Sequence, residues 1–428
     1  MTVSPFDSAL HGAKYADRDV ARLFSDSAEI RAMLIVQGAL ARAQGATGLI
    51  PEVSAQAIHR AAMEVQIDPA GLAAGTAANG IPVPDLVAAF RAAMEAPEHA
   101  NWIHHGATSQ DVIDTSFALR LRQALGLIEA RLDAVLTALA DLADAHAETP
   151  IAARTYGQVA TPTSFGAMVA IWGHGLLACR DALDAVRARV QVVTLAGAAG
   201  TLSVMGDHGP AVRAHMAEAL GLGLTEAPSH AERSAIRALA AWLRAALLAC
   251  DKVAVDLLLL TRDGTVRLGG GGASSTMPQK ANPVGPATIH GLAIHGAALA
   301  GAFDAPHWDQ RDGGAWFAEG LALPQMVVGT ARGLTLLVEA EIVADPAAMR
   351  AGVDDPTGLI HAEAISFALG PPRADAQARV KDWAAEIRTD GGSLIEKAGH
   401  DPADYTPERQ WGEAPAQARA FAAAVRSR

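Results

Sequence analysis

The sequence predicts an all-α chain, three helical domains around a long central bundle, and three observations carry that expectation. Aromatic residues make up only 4 % of the 428 residues. Ala and Leu dominate instead, a mix that favours close-packed helices over strands. Leu121, Leu125, Ile128, Leu132, Val135, Leu139 and Leu142 recur at alternating steps of four and three, the seam of a helix packed lengthwise on others. Residues 235–260 place Leu239, Trp242, Leu243, Ala246, Leu247, Cys250, Val253 and Leu257 on one face, with Leu248, Val255 and Leu258 to Leu260 on the others. A helix apolar nearly all round has to be buried on all sides. Association of subunits is the simplest cover for it, so an obligate oligomer is expected.

The elements follow in order. Residues 26–45 carry Ile30, Met33, Leu34, Val36 and Leu40 in helical rhythm, closed by Gly45, Gly48 and Pro51. Ile81-Pro82-Val83-Pro84 opens a further helix, with Asp85 in its first turn, where negative charge suits the dipole. The heptad stretch is about 32 Å long at 1.5 Å per residue, and a second long segment spans 164–193. From about Asp345 onward, Pro346, Asp354-Asp355-Pro356 and Pro371-Pro372 interrupt shorter helices. The expected domains are 1–105, a central 106–345 that carries the active-site loops, and a small C-terminal 346–428.

Composition removes several functions. With 50 % hydrophobic and 19 % charged residues the chain has ample core material, which excludes a disordered protein. The charge of 34 − 46 = −12 leaves no global basic footprint for nucleic acid. A local basic pocket for a small anion stays possible. Cys179 and Cys250 lie far apart in apolar helical text and read as buried thiols of a reduced compartment. The opening MTVSPFDSAL has no basic and apolar run of a secretory signal. Residues 240–260 carry Arg244, Asp251, Lys252 and Asp256 and make a poor membrane span. A cytoplasmic protein with no membrane partner is expected.

Two constellations could carry chemistry. In His104-His105-Gly106-Ala107-Thr108-Ser109-Gln110-Asp111, two hydroxyls and free amides meet a helix entrance just before the heptad helix. Helix N-termini bind anions. The plainer reading is helix capping by Thr108, Ser109, Asp111 or Asp114. Adjacent histidines point apart and are poor metal ligands, so one of them reads as a hydrogen-bonding or acid/base group. The second constellation is GGGGASSTMPQKANP at 269–283. Its glycines allow close approach to a ligand, and three hydroxyls, one lysine and one amide follow. No Gly precedes Lys280 and Ala281 follows it, so it is not a phosphate loop. His174, His290 and His295 read as ordinary structural residues, and no zinc spacing is present.

The run SSTMPQKANP resembles the Ser-Ser-x-Met-Pro-x-Lys-x-Asn loop of the fumarase/aspartase superfamily, which includes adenylosuccinate and argininosuccinate lyases. GATSQDVIDT and LAGAAGT, the latter at 195–201, resemble two further blocks in the right order. Together with FSDSAEIRAMLIVQGALARAQGATGLIP, they are most similar to the cycloisomerase branch, which lactonises a carboxymuconate. The likeness covers about residues 5–370. It implies that Ser274 is the catalytic serine and His104 an active-site histidine. It further implies that Thr108, Ser109, Gln158, Lys280, Asn282 and Arg311 hold a small di- or tricarboxylate substrate. No metal or cofactor is implied. Homotetramers whose sites combine loops from three subunits are. The superfamily's lyases usually carry Arg-Thr-His-x-Gln where this chain has Arg154-Thr155-Tyr156-Gly157-Gln158, a change that favours the cycloisomerases. The loop also begins Ala273-Ser274 where Gly-Ser is usual and has Gln279 where His is common. A fumarate-releasing lyase and a non-catalytic structural homologue are the alternatives.

Overall fold

A computed structural model describes residues 3–269, 272–273, 277 and 280–428. Six helices organise it: α1 (Asp26–Ala46), α2 (Ser109–Ala145), α3 (Phe165–Val190), α4 (Ser234–Arg262), α5 (Val284–Ala300) and α6 (Gly313–Val338). The first four match the helical stretches read from the sequence, and α5 and α6 add to them. Ser25 caps α1 by accepting from the Ala28 N–H, and Gly48 beyond its end adopts φ +74°. The helix Val83–Ala93 takes Pro84 and Asp85 into its first turn. Of the heptad residues, all but the half-buried Leu142 are buried.

The chain divides into two compact units: Met1–Ala130 with Asp181–Leu247 and Gly291–Gly333, and Arg131–Arg180 with Leu248–His290 and Leu334–Arg428. Helices α2 to α6 each contribute turns to both. In the first unit α1 packs on the helix Glu52–Glu64, around a core that includes Met33, Leu34, Leu40, Ile58 and Phe90. Small residues set that approach. A Cβ on Gly38 would stand 2.8 Å from the Ala62 Cβ, and one on Gly45 only 2.4 Å from the Ala55 Cβ.

In the second unit Cys179 and Cys250 are buried thiols not joined in a disulfide, and burial pushes both thiol pKa values up. Here too an antiparallel hairpin departs from the all-helical expectation. It consists of β1 (Pro150–Thr155) and β2 (Gln158–Ser164), with Thr155 opposite Gln158. Tyr156 and Gly157 close it with φ +50° and +76°, the positive values that a two-residue hairpin turn requires. Ile151, Thr155, Val159, Thr161 and Thr163 are its β-branched residues, too few to stand out between helices of such length. The helix α4 buries the face from Leu239 to Leu257 in full, while Leu248 and Leu259 keep 43 % and 44 % of their surface exposed. One chain therefore covers one face of α4 and not all of it. The helix α6 has the length and composition to cross a membrane, but 61 % of its apolar stretch is buried within the chain.

Leu132 has none of its surface exposed. Leu132→Ala should cost about 2–5 kcal/mol through lost burial and a residual cavity, read as a lower urea midpoint. An unchanged midpoint would mean that the α2 seam is not a packed core.

Candidate active site

The first unit builds a polar site around the start of α2. Asp111 lies in the first turn of that helix and is 2 % exposed. Its Oδ2 accepts from the Thr108 N–H at 2.9 Å, so the side chain reaches back and caps its own helix. The same oxygen accepts from the Gly197 N–H at 3.0 Å, and Oδ1 accepts from the Ala196 N–H at 2.9 Å. His230 Nε2 donates to Oδ1 at 2.8 Å, because a carboxylate can only accept. One buried side chain thus fixes the LAGAAGT loop to the helix start. Thr115 repeats the link one turn on, donating to the Thr194 carbonyl and accepting from the Thr194 N–H, both at 3.0 Å.

This arrangement decides how the two hydroxyls are used. Asp111 performs the cap, and the Thr108 and Ser109 hydroxyls make no hydrogen bond among the described residues. Both side chains are half-buried at the N-terminus of a 37-residue helix, where the amides and the dipole favour an anion.

His104 stands before this terminus in the left-handed region, φ +65°. Its Nδ1 pairs with Gln37 Nε2 at 2.9 Å. Burial, opposed by Asp111 and joined by Arg91, holds the imidazole below its ordinary value of 6.5. The ring is therefore neutral at neutral pH. Arg311 donates from Nη2 to the Ala198 carbonyl at 2.5 Å, and its buried Nε has no partner among the described residues. His104, Thr108, Ser109 and Arg311 are accordingly tied to one framework of α2 and the 195–201 loop.

The second unit carries the other residues singled out in the sequence. Gln158 is exposed at the tip of the β1–β2 hairpin beside a fully exposed Tyr156. Lys280 is exposed, its N–H bonded to the Met277 carbonyl at 3.0 Å. Asn282 is half-buried in β4 (Ala281–Asn282), which pairs antiparallel with β3 (Gly272–Ala273). A Cβ on Gly272 would come within 2.7 Å of Val284 Cγ2, so this strand position requires glycine. Ser274 lies outside the described residues.

Sequence reasoning missed a buried ion network one turn behind Asp111. Arg233, 6 % exposed, donates to Glu319 from Nε at 3.0 Å and from Nη2 at 2.5 Å. Its Nη1 donates to Asp114 Oδ2 at 2.6 Å. Trp316 Nε1 donates to the other Asp114 oxygen at 3.2 Å, and His307 Nε2 meets Glu319 Oε1 at 3.0 Å. Burial works against the Arg233 charge, yet Asp114 and Glu319 outweigh it and hold the guanidinium pKa above its ordinary value. The available signal was Glu319, an acid within the apolar text of α6. Nothing local names its partner.

The chain matches the model of a family described as lyase over residues 14–295. It is 38 % identical to a 3-carboxy-cis,cis-muconate cycloisomerase of Bradyrhizobium diazoefficiens, over 80 % of this chain and 79 % of that one. A nitrosuccinate lyase of Streptomyces davaonensis is 36 % identical over 93 % of this chain and 85 % of its own. The crystal structure of the 3-carboxy-cis,cis-muconate lactonizing enzyme from Pseudomonas putida superposes with a TM-score of 0.90 at 30 % identity, covering 98 % of this chain and 99 % of that one.

Two outcomes test the site. Asp111→Ala removes the acceptor of four buried donors and should cost about 3–5 kcal/mol, as breaking a buried charged pair does, measured by denaturant unfolding. A loss below about 1 kcal/mol, the worth of an ordinary hydrogen bond, would contradict its central place. His104 binds a proton less readily folded than unfolded, so as pH falls below about 6.5 the unfolded state takes up its proton first. Its stability contribution is therefore lost on acidification. The stability of the parent relative to His104→Gln should fall between pH 7.5 and pH 5, and a flat difference would refute the burial of the ring.

Proposed function

The chain belongs to the lyase family, within the fumarase/aspartase superfamily, and from that premise we propose that it lactonises 3-carboxy-cis,cis-muconate. The observation that carries the proposal is the start of α2. Asp111 takes the Thr108 N–H there, while the Thr108 and Ser109 hydroxyls keep no partner among the described residues and stand open to a substrate carboxylate, in a chain whose relatives include cycloisomerases of this tricarboxylate.

The chemistry is an isomerisation, so no atom is gained or lost. One substrate carboxylate oxygen bonds to a carbon of the conjugated diene. The displaced electron pair moves onto the carbon beside another carboxylate, giving an aci-carboxylate, and a proton then closes the sequence at that carbon. The intermediate gathers negative charge on its carboxylate oxygens and needs preorganised donors around them. Thr108, Ser109, Gln158, Lys280, Asn282 and Arg311 are the side chains assigned to that work. Ser274 and His104 are the two candidates for handling the proton. The lowered pKa of His104 keeps its ring neutral at neutral pH, with no imidazolium proton to give, which favours Ser274 for delivery. Such general acid–base help is worth about 10²–10⁴-fold.

The working form in this proposal is a cytoplasmic homotetramer whose sites draw on several subunits. The uncovered Leu248 and Leu259 on α4 and the exposed hairpin tip at Tyr156 support that reading. A second reading is elimination from a substituted succinate, favoured by the relative that acts on nitrosuccinate and aligns with 93 % of this chain.

Absorbance of the muconate diene decides between them. The parent should bleach it, and Ser274→Ala should lose about 10²–10⁴ in turnover while still binding substrate. A parent that leaves the diene intact and releases fumarate from nitrosuccinate or adenylosuccinate would replace the first reading with the second. Mixing inactive Thr108→Val with inactive Ser274→Ala subunits should restore part of the activity where sites are shared. No recovery would argue for sites complete within one chain.

A further inference from the structure

A second cavity-lining cation in the first unit has no role in the site described above. Arg120 lies on α2 eleven residues beyond its first residue Ser109, about 16 Å along the axis. It is 6 % exposed and lines a cavity of about 400 Å³, a size that holds a small organic ligand. Its buried Nε has no hydrogen-bond partner among the described residues. The one ion pair it makes among the described residues, to Glu29 at 3.6 Å, is too long for a hydrogen bond, and Glu29 is a third exposed. A guanidinium carries five donors. A buried one without an acceptor is costly unless something else supplies it.

The surroundings specify what that something is. The rings of Phe24 and Phe117 flank the guanidinium at 5.7 and 5.6 Å from its carbon, so it lies among aromatic faces. Val190, Val192, Leu224 and Leu323 add apolar wall. Asp114 and Glu319 also line the cavity, but both are engaged by Arg233. At its edge stand the exposed Glu226 and Glu232, which repel any ligand of high negative charge. We propose that this cavity is a binding site for a small aromatic monocarboxylate, its carboxylate on Arg120 and its ring among Phe24, Phe117 and the apolar wall. The single charge and planar body separate this ligand from a tricarboxylate substrate. The inference stands on the cavity and does not depend on the function proposed above.

Benzoate is the probe, with benzamide as its neutral isostere and citrate as a multiply charged carboxylate, titrated calorimetrically into the full-length protein. Benzoate should bind once per chain, and benzamide and citrate at least about tenfold more weakly, the loss of roughly one charge-assisted contact. Arg120→Met should abolish binding and melt no lower than the parent, since it removes an unsatisfied buried charge. Should Arg120→Met fail to fold, Ala227→Trp at the exposed edge of the cavity blocks entry without touching the charge and should abolish binding too. Absence of benzoate binding would overturn the proposal. So would equal affinity for benzamide, or benzoate binding that survives Ala227→Trp, which would place it elsewhere on the protein.

Discussion

The first unit depends on one buried carboxylate. Asp111 takes both backbone N–H groups of the Ala196-Gly197 turn, the N–H of Thr108 just before α2, and a ring N–H of His230. Without an acceptor, each of these donors would be buried at a cost comparable to a lost hydrogen bond. With it, three segments distant in sequence are locked at one point. A charged acceptor makes stronger bonds than a neutral one, and that stiffness lets two short hydroxyls be held still at a helix terminus. Asp111 takes the Thr108 N–H, and the Thr108 and Ser109 hydroxyls keep no partner among the described residues.

The Arg233 network extends this logic one turn further along α2. Its planar fork matches the Glu319 carboxylate on two donors and reaches Asp114 with a third. Buried ion groups of this kind add little net stability over a well-packed apolar cluster, but breaking one half strands the other. Here they tie α6 to the start of α2 through Arg233 and Trp316. Arg120 is the counter-example on the same helix. It is as deeply buried as Arg233 yet has no carboxylate fork, and the contrast between the two arginines marks the cavity they line as unfinished by the protein alone.

The second unit handles exposure differently. The β1–β2 tip presents Tyr156 and Gln158 to solvent on a turn whose positive φ values hold its shape. An exposed turn carrying Tyr156, together with uncovered leucines on α4, is poor design for an isolated chain. It is reasonable for one that meets copies of itself, the assembly proposed above.

The sequence by itself determined the helices. A period of 3.5 repeated from Leu121 to Leu139 and an apolar face from Leu239 to Leu257 are local patterns, and side chains at such spacing have one way to become buried together. It also identified Thr108, Ser109, Lys280 and Asn282 as unusual, because short loops carrying that chemistry resemble a known family. Tertiary structure decided what those loops rest on. His230 meets Asp111 and Arg233 meets Asp114 across 119 positions of chain, and Glu319 meets Arg233 across 86. No periodicity encodes such pairing, since it is fixed only when the helices have packed and each buried charge must find the opposite charge nearest to it. The β1–β2 hairpin escaped for a related reason: its strands are short, and their pairing is held by a two-residue turn and not by a long repeating pattern.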